Sequence, residues 1–388
     1  MVGTWMQIFA QNWVLTSLTK RALVLAAINC AAGVPVILLT LLGGSFADRY
    51  DKRRILYIAN IVQICSACTL GWLIARHEIA IWHVFIAACV LGVATAFETP
   101  AVSAFVPELV GREEIRGAIA LDRSVFHLTR FLGPSVGGWL IGHFGESTAY
   151  FLNAASFLPL IAAIVSIAPR AAGAAAEEEK RRSGIKDGLA YVKSDAPTRS
   201  MILLMVGATL FVSPFLVILM LIYSRNTLGL TEEQTGWLMG ISGIGSFAGS
   251  LGLLYIRPGR RAVALRFSST AIVLGLAGLA AATGLTFASC AMVCMTLGLS
   301  TNFGLANIVI QERAPEHMRG RISSVAAMSF FGLLPFSGLL MSALMDWLGA
   351  RTALGMAAGC FAVYAARLLY GVRELASAPR PVVSVGTE

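Results

Sequence analysis

The chain is dominated by long apolar runs that alternate with short polar loops. A helix needs about 20 mostly apolar residues to cross roughly 30 Å of hydrocarbon. Twelve runs approach or exceed that length, at approximately 3–18, 22–46, 55–75, 79–100, 118–142, 147–168, 200–224, 234–256, 263–283, 286–311, 322–346 and 351–371. None alternates like a barrel strand, and an open sheet edge would leave unpaired backbone groups in lipid, so we predict twelve transmembrane helices in an all-α membrane protein.

Composition agrees with this pattern. Of the 388 residues, 57% are hydrophobic and 13% are charged, whereas a soluble domain carries about 25% charged residues. A net charge of +9 would favour nucleic-acid binding in a soluble chain. Here most arginines lie in short loops beside apolar runs and indicate topology, so we expect the lipid bilayer and no nucleic acid as a partner.

Basic residues are concentrated in alternate loops. The positive-inside rule places the rich loops, and with them both termini, in the cytoplasm. The rich set contains Arg49, Lys52, Arg53, Arg54, Arg112, Arg116, Arg257, Arg260, Arg261, Arg313, Arg319, Arg321 and seven basic residues within 169–199. The opposite set contains Lys20, Arg21, Arg76, Arg225 and Arg351.

One long polar segment divides the chain after the sixth run. Its first part is rich in alanine, glycine and mixed charges, which is typical of a flexible linker, and GIKDGLAYVKS within it predicts a short amphipathic helix on the inner leaflet. The predicted organisation is therefore a six-helix bundle at 1–168, a cytoplasmic linker at 169–199, a six-helix bundle at 200–373 and a cytoplasmic tail at 374–388.

The two predicted bundles resemble each other in their loops. PELVGREEIRGAIAL at 107–121 follows the fourth run, and IQERAPEHMRGRISS at 310–324 follows the tenth. GGSFADRYDKRR at 43–54 likewise corresponds to SLGLLYIRPGRR at 250–261. Internal repeats across a central linker are a common construction of transporters, with the substrate site between the halves.

The segment at 43–54 resembles the loop motif of the major facilitator superfamily, G-x-L-a-D-R-x-G-R-[RK]. The matching residues are Gly44, Asp48, Arg49, Arg53 and Arg54, while Asp51 replaces the second glycine. The resemblance extends over the whole chain and is nearest to the branch of enterobactin-exporter-like and drug-efflux proteins. It implies two pseudo-symmetric six-helix bundles, with the first helix apparently truncated because its run is short.

Within that resemblance, Asp48 and the three arginines form a conformational latch at the cytoplasmic mouth. Glu98, at the inner end of the fourth run, is the expected partner of Arg53 or Arg49. Such a latch would break when the halves rock apart, and so would bias the conformational equilibrium. The alternative is that these charges only fix topology and bind lipid headgroups.

A second motif lies in the fifth run, where RFLGPSVGGWL spans 130–140. Gly133, Pro134, Gly137 and Gly138 resemble the antiporter signature G-x-x-x-G-P-x-x-G-G, with Thr129 in place of its first glycine. Proline kinks a helix and glycines allow close packing on a neighbour. The motif is thus expected to form a seal or pivot, and only the resemblance connects it with export.

Charges inside the same run are candidates for proton coupling, because ionisable groups in lipid are costly. Histidine titrates near physiological pH, so His127 or Asp122 could carry the proton. Arg123 and Arg130 share the histidine's helical face. The alternative for Asp122 and Arg123 is that both reach the headgroups from the cytoplasmic end.

Polar and aromatic residues in four runs suggest a substrate cavity, since the first, fourth, seventh and tenth helices line the cavity of the fold that the resemblance implies. The candidates are Gln7, Gln11, Asn12, Phe97, Phe211, Phe215, Asn302, Asn307 and Gln311, with Trp5 and Trp13 as further walls. The alternative is that the polar members are interhelical hydrogen bonds that hold the bundle together.

No phosphate-binding loop, nucleophile elbow or zinc-protease motif occurs, and the seven cysteines lie in apolar runs. We therefore expect no enzyme activity, cofactor or metal site. The resemblance implies a monomer in a bacterial inner (plasma) membrane that exports a small organic molecule, a siderophore or an amphipathic drug-like compound, against proton entry. Import of a metabolite or metal chelate, or a non-transporting scaffold or relic with an incomplete first helix, are the alternatives.

The orientation gives a first prediction. Tags inserted in the 169–188 linker and at the C-terminal tail should both be protected from protease added to intact spheroplasts, because both segments belong to the cytoplasmic set of loops. A tag in the loop at Arg76 is the control and should be cleaved. Cleavage of the linker or tail tag would contradict the twelve-span topology.

Overall fold

The computed structural model describes residues 2–109, 115–166, 185–315 and 318–371, and these residues form helices joined by short turns. The α-helices are α1 (Val2–Leu18), α2 (Ala22–Arg49), α3 (Lys52–Ala75), α4 (Ile81–Leu109), α5 (Ile115–Phe144), α6 (Glu146–Ser166), α7 (Ile185–Ser194), α8 (Ala196–Phe211), α9 (Met220–Asn226), α10 (Glu232–Gly252), α11 (Arg261–Ala281), α12 (Leu285–Arg313), α13 (Arg319–Phe331), α14 (Leu334–Leu348) and α15 (Ala350–Gly371). A π-helix covers Phe215–Leu219, and single 3-10 turns cover Leu253–Tyr255 and Pro258–Arg260.

Ten helical segments in the described ranges are long and apolar enough to cross a membrane. The 17-residue α1 and the charge-bearing α5 complete the twelve predicted spans. The prediction of an all-α membrane protein is therefore confirmed. The bundle has a basic end, defined as the end that carries Arg49–Arg54, Arg257–Arg261 and Arg313, and the other is called the opposite end.

Two of the predicted spans are interrupted rather than continuous. The seventh span consists of α8, the π-helix and α9, with Pro214 just before the π-helix. The eleventh consists of α13 and α14, which separate at Gly332 and Leu333 ahead of Pro335. Proline cannot donate a backbone hydrogen bond, and π-turns recur at functional positions, so these interruptions mark places where the helices can bend.

Helices α1–α6 pack mainly on one another, as do α8–α15. Glycines bring the backbones together within each group. A Cβ at Gly92 of α4 would collide with the carbonyl of Ala32 in α2, and one at Gly298 of α12 would collide with the carbonyl of Ser268 in α11. The two groups meet along α5 with α10 and along α2 with α14, so two long seams join the halves.

The amphipathic helix predicted in the linker is α7, and it packs on α8 and α13. Its C-terminal neighbour Asp195 is buried and accepts two bonds from Arg313 of α12, Nε at 2.9 Å and Nη2 at 2.7 Å. The Asp195 side chain also caps α8 by accepting from the Thr198 amide at 3.1 Å. Tyr191 donates its hydroxyl to the Arg313 carbonyl at 2.7 Å. This cluster fastens the end of the linker to the second half.

The cluster also determines how Asp195 titrates. Burial by itself would raise the pKa of Asp195, but the hydrogen bonds from Arg313 and Thr198 outweigh it and lower the pKa from 3.8 to about 2. A carboxyl whose pKa is depressed by folding adds stability above its unfolded pKa, and that stability disappears as the pH falls through the folded pKa. The relevant window is therefore between about pH 4 and pH 2.

We expect Asp195→Asn to reduce the free energy of unfolding by about 1–2 kcal/mol at neutral pH, a value discounted for screening by water at the membrane surface. The difference from the wild type should shrink as the pH falls from 4 towards 2. Thermal unfolding of detergent-purified protein measures both. The control is Glu78→Gln, since Glu78 forms a 3.8 Å ion pair that is 62% exposed on both sides. Equal losses in the two variants would contradict the assignment.

Candidate functional site

The fifth-helix motif lies between two neighbours of α5. On one side, Gly133 and Gly137 face α1, where a Cβ at Gly137 would lie 3.2 Å from Cγ of Met6. On the other side, a Cβ at Gly138 would lie 2.6 Å from the carbonyl oxygen of Glu232 and 3.0 Å from Cα of Gly236, both in α10. The predicted close packing is thus present, and it extends to a helix of the other half.

The contact between α5 and α10 is made by backbone on both sides. A Cβ at Gly236 would lie 2.7 Å from the Pro134 carbonyl oxygen, and Ser135 donates its hydroxyl to the Gly236 carbonyl at 3.4 Å. The Pro134 carbonyl can approach α10 this closely because Gly236 has no side chain. Separation of α5 from α10 at this level must open this contact.

The second seam is closed by a carboxylate that the sequence did not single out. Asp346, near the end of α14, accepts from the backbone amides of Ala22 at 2.7 Å and Leu23 at 2.9 Å. These are the first amides of α2, whose own N-cap residue, Arg21, makes no side-chain cap. The negative charge also lies favourably at the positive end of the α2 dipole. One half of the protein therefore caps a helix of the other.

A cation–π contact joins the halves beside that cap. The guanidinium of Arg225, in α9, lies 4.8 Å from the ring centroid of Trp13 in α1 and donates to the Thr16 hydroxyl at 2.9 Å. Glu146 of α6 is within electrostatic range of Arg225, with His77 and Glu232 also near. Contacts of these kinds contribute about 1–3 kcal/mol each, so they hold the opposite end together but can be broken.

The seams continue towards the middle of the bundle, at the two interrupted spans. The Cys30 thiol of α2 lies 3.4 Å from the Pro335 carbonyl of α14, and a Cβ at Gly338 would lie 2.5 Å from Cδ1 of Ile218 in the π-helix. The bend of the seventh span, the bend of the eleventh span and α2 therefore meet at one place.

The residues of the predicted latch are brought to the basic end, where α2 finishes and α3 begins. The Asp48 side chain lies outside the described residues. Arg49 and Arg54 are exposed and Arg53 is half-buried, and Asp51 caps α3 by accepting from the Arg53 amide at 3.0 Å. The latch stays a prediction.

Glu98 has a partner that the sequence analysis missed. Its Oε2 accepts from Nε2 of Gln63 at 2.6 Å, which joins α4 to α3. In this contact the partner of Glu98 is the neutral amide of Gln63, whereas the sequence predicts Arg49 or Arg53. The signal in the sequence was a single glutamine in an apolar run, which also fits simple helix packing.

The four candidates for proton coupling all lie on α5, in the part nearer the basic end. The side chains of Asp122, Arg123, His127 and Arg130 lie outside the described residues, so their pairing stays a prediction. The helix that carries them touches α1 on one side and α10 on the other.

Three of the cavity candidates are hydrogen-bonded to another helix, and a fourth is buried within its own span. Gln7 accepts from Asn153 of α6 at 2.5 Å, Asn12 accepts from Asn29 of α2 at 3.3 Å, and Asn302 donates to Ser269 of α11 at 3.2 Å. Phe215 is fully buried and packs edge-on against a tyrosine ring 5.3 Å away. The three amides therefore have partners on neighbouring helices, and the cavity stays a prediction.

The remaining candidates are more accessible. Gln11, Phe97 and Phe211 are half-buried. Asn307 and Gln311 are exposed on α12, one turn apart, and Gln311 donates to the Ser323 hydroxyl at 2.7 Å. Within the described ranges, no group of three His, Cys, Asp or Glu side chains could hold a metal ion.

The fold and the two seams define a transporter built from two helical bundles. A family model described as transmembrane secretion effector, a major facilitator family, matches residues 1–381. The chain therefore belongs to this family of the major facilitator superfamily.

Relatives with named functions are similar over nearly the whole length. The multidrug efflux pump Tap of Mycobacterium tuberculosis is 27% identical, covering 97% of this chain and 92% of Tap. The staphyloferrin A transporter of Staphylococcus aureus is 24% identical, covering 90% of this chain and 87% of that protein. Among solved structures, the nucleoside transporter NupG is similar with a TM-score of 0.69 at 14% identity, covering 96% of this chain and 99% of NupG, a likeness of fold alone.

The α5–α10 contact gives a matched pair of variants. Gly138→Val places a side chain against backbone atoms of α10 that cannot move cheaply, so it should lower stability by about 1–3 kcal/mol and reduce transport severalfold. Gly142→Val lies one turn further along α5, where a Cβ would meet nothing within 4 Å, and should change little. Thermal unfolding and transport in reconstituted vesicles test this. Similar effects of both valines would show that the seam is not tight.

Proposed function

We propose that this transporter exports a small organic molecule from the cytoplasm and that proton entry drives the export. The observation that carries the proposal is the arrangement of the two seams between the halves. Near the opposite end the halves are joined by glycine contacts, by the cap that Asp346 of α14 makes on α2, and by the cation–π contact of Arg225 with Trp13. The name of Tap supports efflux of drug-like compounds, and the name of the staphyloferrin A transporter supports a siderophore-like compound as an alternative substrate class.

The proposed cycle is alternating access between the halves. The contacts of Asp346 and Arg225 close the opposite end, which the positive-inside rule assigns to the outside of the cell. To release substrate outwards, the halves must separate there, at the expense of the amide cap and the Trp13 contact. Since these are a few contacts of about 1–3 kcal/mol each, a difference of a few kcal/mol in ligand or proton binding between the two states is enough to shift the population.

Substrate recognition in this proposal uses the accessible subset of the candidates. Gln11, Asn307 and Gln311 supply amide donors and acceptors, and Phe97 and Phe211 supply aromatic surface. Such a mixture of a few polar groups with apolar walls suits an amphipathic organic molecule. We propose that Gln7, Asn12, Phe215 and Asn302 support these positions by fixing the helices behind them.

Proton coupling is assigned in the proposal to α5. A proton that enters from outside and neutralises Asp122 or charges His127 changes the electrostatics of the helix that forms the α5–α10 seam. Because that seam must open and close in each cycle, protonation can be coupled to the conformational change without contact between proton and substrate. The proposed location is the inner membrane, with a monomer as the working unit.

The test compares two transport modes in the same reconstituted variants. Asp122→Asn or His127→Gln should abolish the acceleration of efflux by an imposed pH gradient, while exchange of labelled for unlabelled substrate continues, because exchange needs no net proton movement. Fluorescent amphipathic dyes and iron-free siderophores serve as trial substrates in everted vesicles. His143→Gln is the control, since His143 lies exposed on the same helix at its other end.

If an imposed pH gradient still accelerates efflux equally in both variants, neither Asp122 nor His127 carries the proton and the assignment to α5 is wrong. Accumulation into the interior of right-side-out vesicles, rather than expulsion, would overturn the assigned direction.

A further inference from the structure

A groove on the outer face of the first half is not accounted for by the transport cycle. It has a volume of about 350 Å³ and lies at the basic end, between the start of α3 and the end of α6. Its lining residues are Asp51, Arg53, Arg54, Tyr57, Ile58, Ile164 and Val165. The groove therefore has a charged rim at the level where the membrane surface is expected and an apolar floor one to two turns deeper.

The floor is apolar surface left open by the protein. Ile58 is 62% exposed, Val165 is 68% exposed and Tyr57 is 44% exposed. Both helices continue from here towards the opposite end as membrane spans. In a bilayer this surface faces the acyl chains, with Tyr57 at the depth where amphipathic rings are favoured.

The rim is strongly basic for the start of a helix. Lys52, Arg53 and Arg54 occupy the first turn of α3, where the helix dipole disfavours positive charge, and that turn contains no acidic residue. Among the residues that line the groove, Asp51 is the acidic one, and its carboxylate accepts the Arg53 amide as the cap of α3. With one carboxylate and two guanidinium groups lining the groove, the rim carries a net positive charge.

We propose that this groove binds one anionic phospholipid, with the headgroup phosphate against Arg54 and an acyl chain along Ile58 and Val165. Charge complementarity favours an anionic over a zwitterionic headgroup, and the apolar floor favours a lipid over a free phosphate ester. The site adjoins the turn between α2 and α3 that carries Asp48 and Arg49, so a bound lipid would bear on that turn. The proposal is independent of the substrate and direction of transport.

Native mass spectrometry of the purified full-length chain tests the site. The protein is titrated with phosphatidylglycerol or with phosphatidylcholine of the same acyl chains. The wild type should retain one phosphatidylglycerol more tightly than further copies and more tightly than phosphatidylcholine. Arg54→Gln should weaken that first binding step about fivefold, the contribution of one basic residue at a membrane surface, and Arg54→Lys should keep most of it.

Two controls distinguish binding in this groove from attraction to basic residues in general and from binding of phosphate alone. Arg257→Gln removes an exposed arginine at the same end of the other half and should leave the first step unchanged. Glycerol phosphate, which has the headgroup chemistry without acyl chains, should not displace the lipid. Equal losses in Arg54→Gln and Arg257→Gln, equal binding of both lipids by the wild type, or displacement by glycerol phosphate would each overturn the proposal.

Discussion

Close approach of helix backbones is the constraint on which this structure depends. Between helices in lipid there is little hydrophobic driving force, so association relies on van der Waals contact and on small residues that allow it. The glycines of α4, α12 and α5 each place one helix against the backbone of another, as at Gly92, Gly298 and Gly138. Where that approach occurs within a half it builds a rigid body. Where it occurs between halves it builds a seam that can open.

The polar contacts within one half also differ from those between the two halves. Within the second half, Arg313 donates a pair of hydrogen bonds to buried Asp195, and Arg261 donates a pair to Glu312 at 2.6 and 2.7 Å. Bidentate pairs of this kind are strong and directional, and they fasten α7, α11 and α12 to one another at the basic end. Between the halves, Asp346 bonds to two backbone amides and Arg225 contacts a ring, a hydroxyl and a carbonyl. Rigid bodies with separable faces are the mechanical requirement of alternating access.

Much of the site prediction depended on polar residues that could bind either a substrate or a neighbouring helix, and the sequence pattern is the same for both roles. An amide in an apolar run is equally suited to bind a substrate or another helix, and only the contacts of Gln7 with Asn153 and of Asn302 with Ser269 favour the second role. Glu98 was expected to meet an arginine, and its contact with Gln63 depends on the rotation of α4 against α3. Asp346 carried no signal, because a lone carboxylate at the end of a span resembles an ordinary surface charge.

The sequence by itself determined the number of spans, the all-helical class, the position of α7 and the helix that carries the glycine–proline motif. These follow from local physics, since length, hydropathy and charge in each run decide whether it crosses lipid. The tertiary structure alone decided which faces meet, where the seventh and eleventh spans bend, and that a carboxylate of α14 caps α2. The reason is that such contacts join residues 101 positions apart, as between Ser135 and Gly236, or 324 positions apart, as between Ala22 and Asp346. Nothing in a single run specifies how one helix is rotated against another.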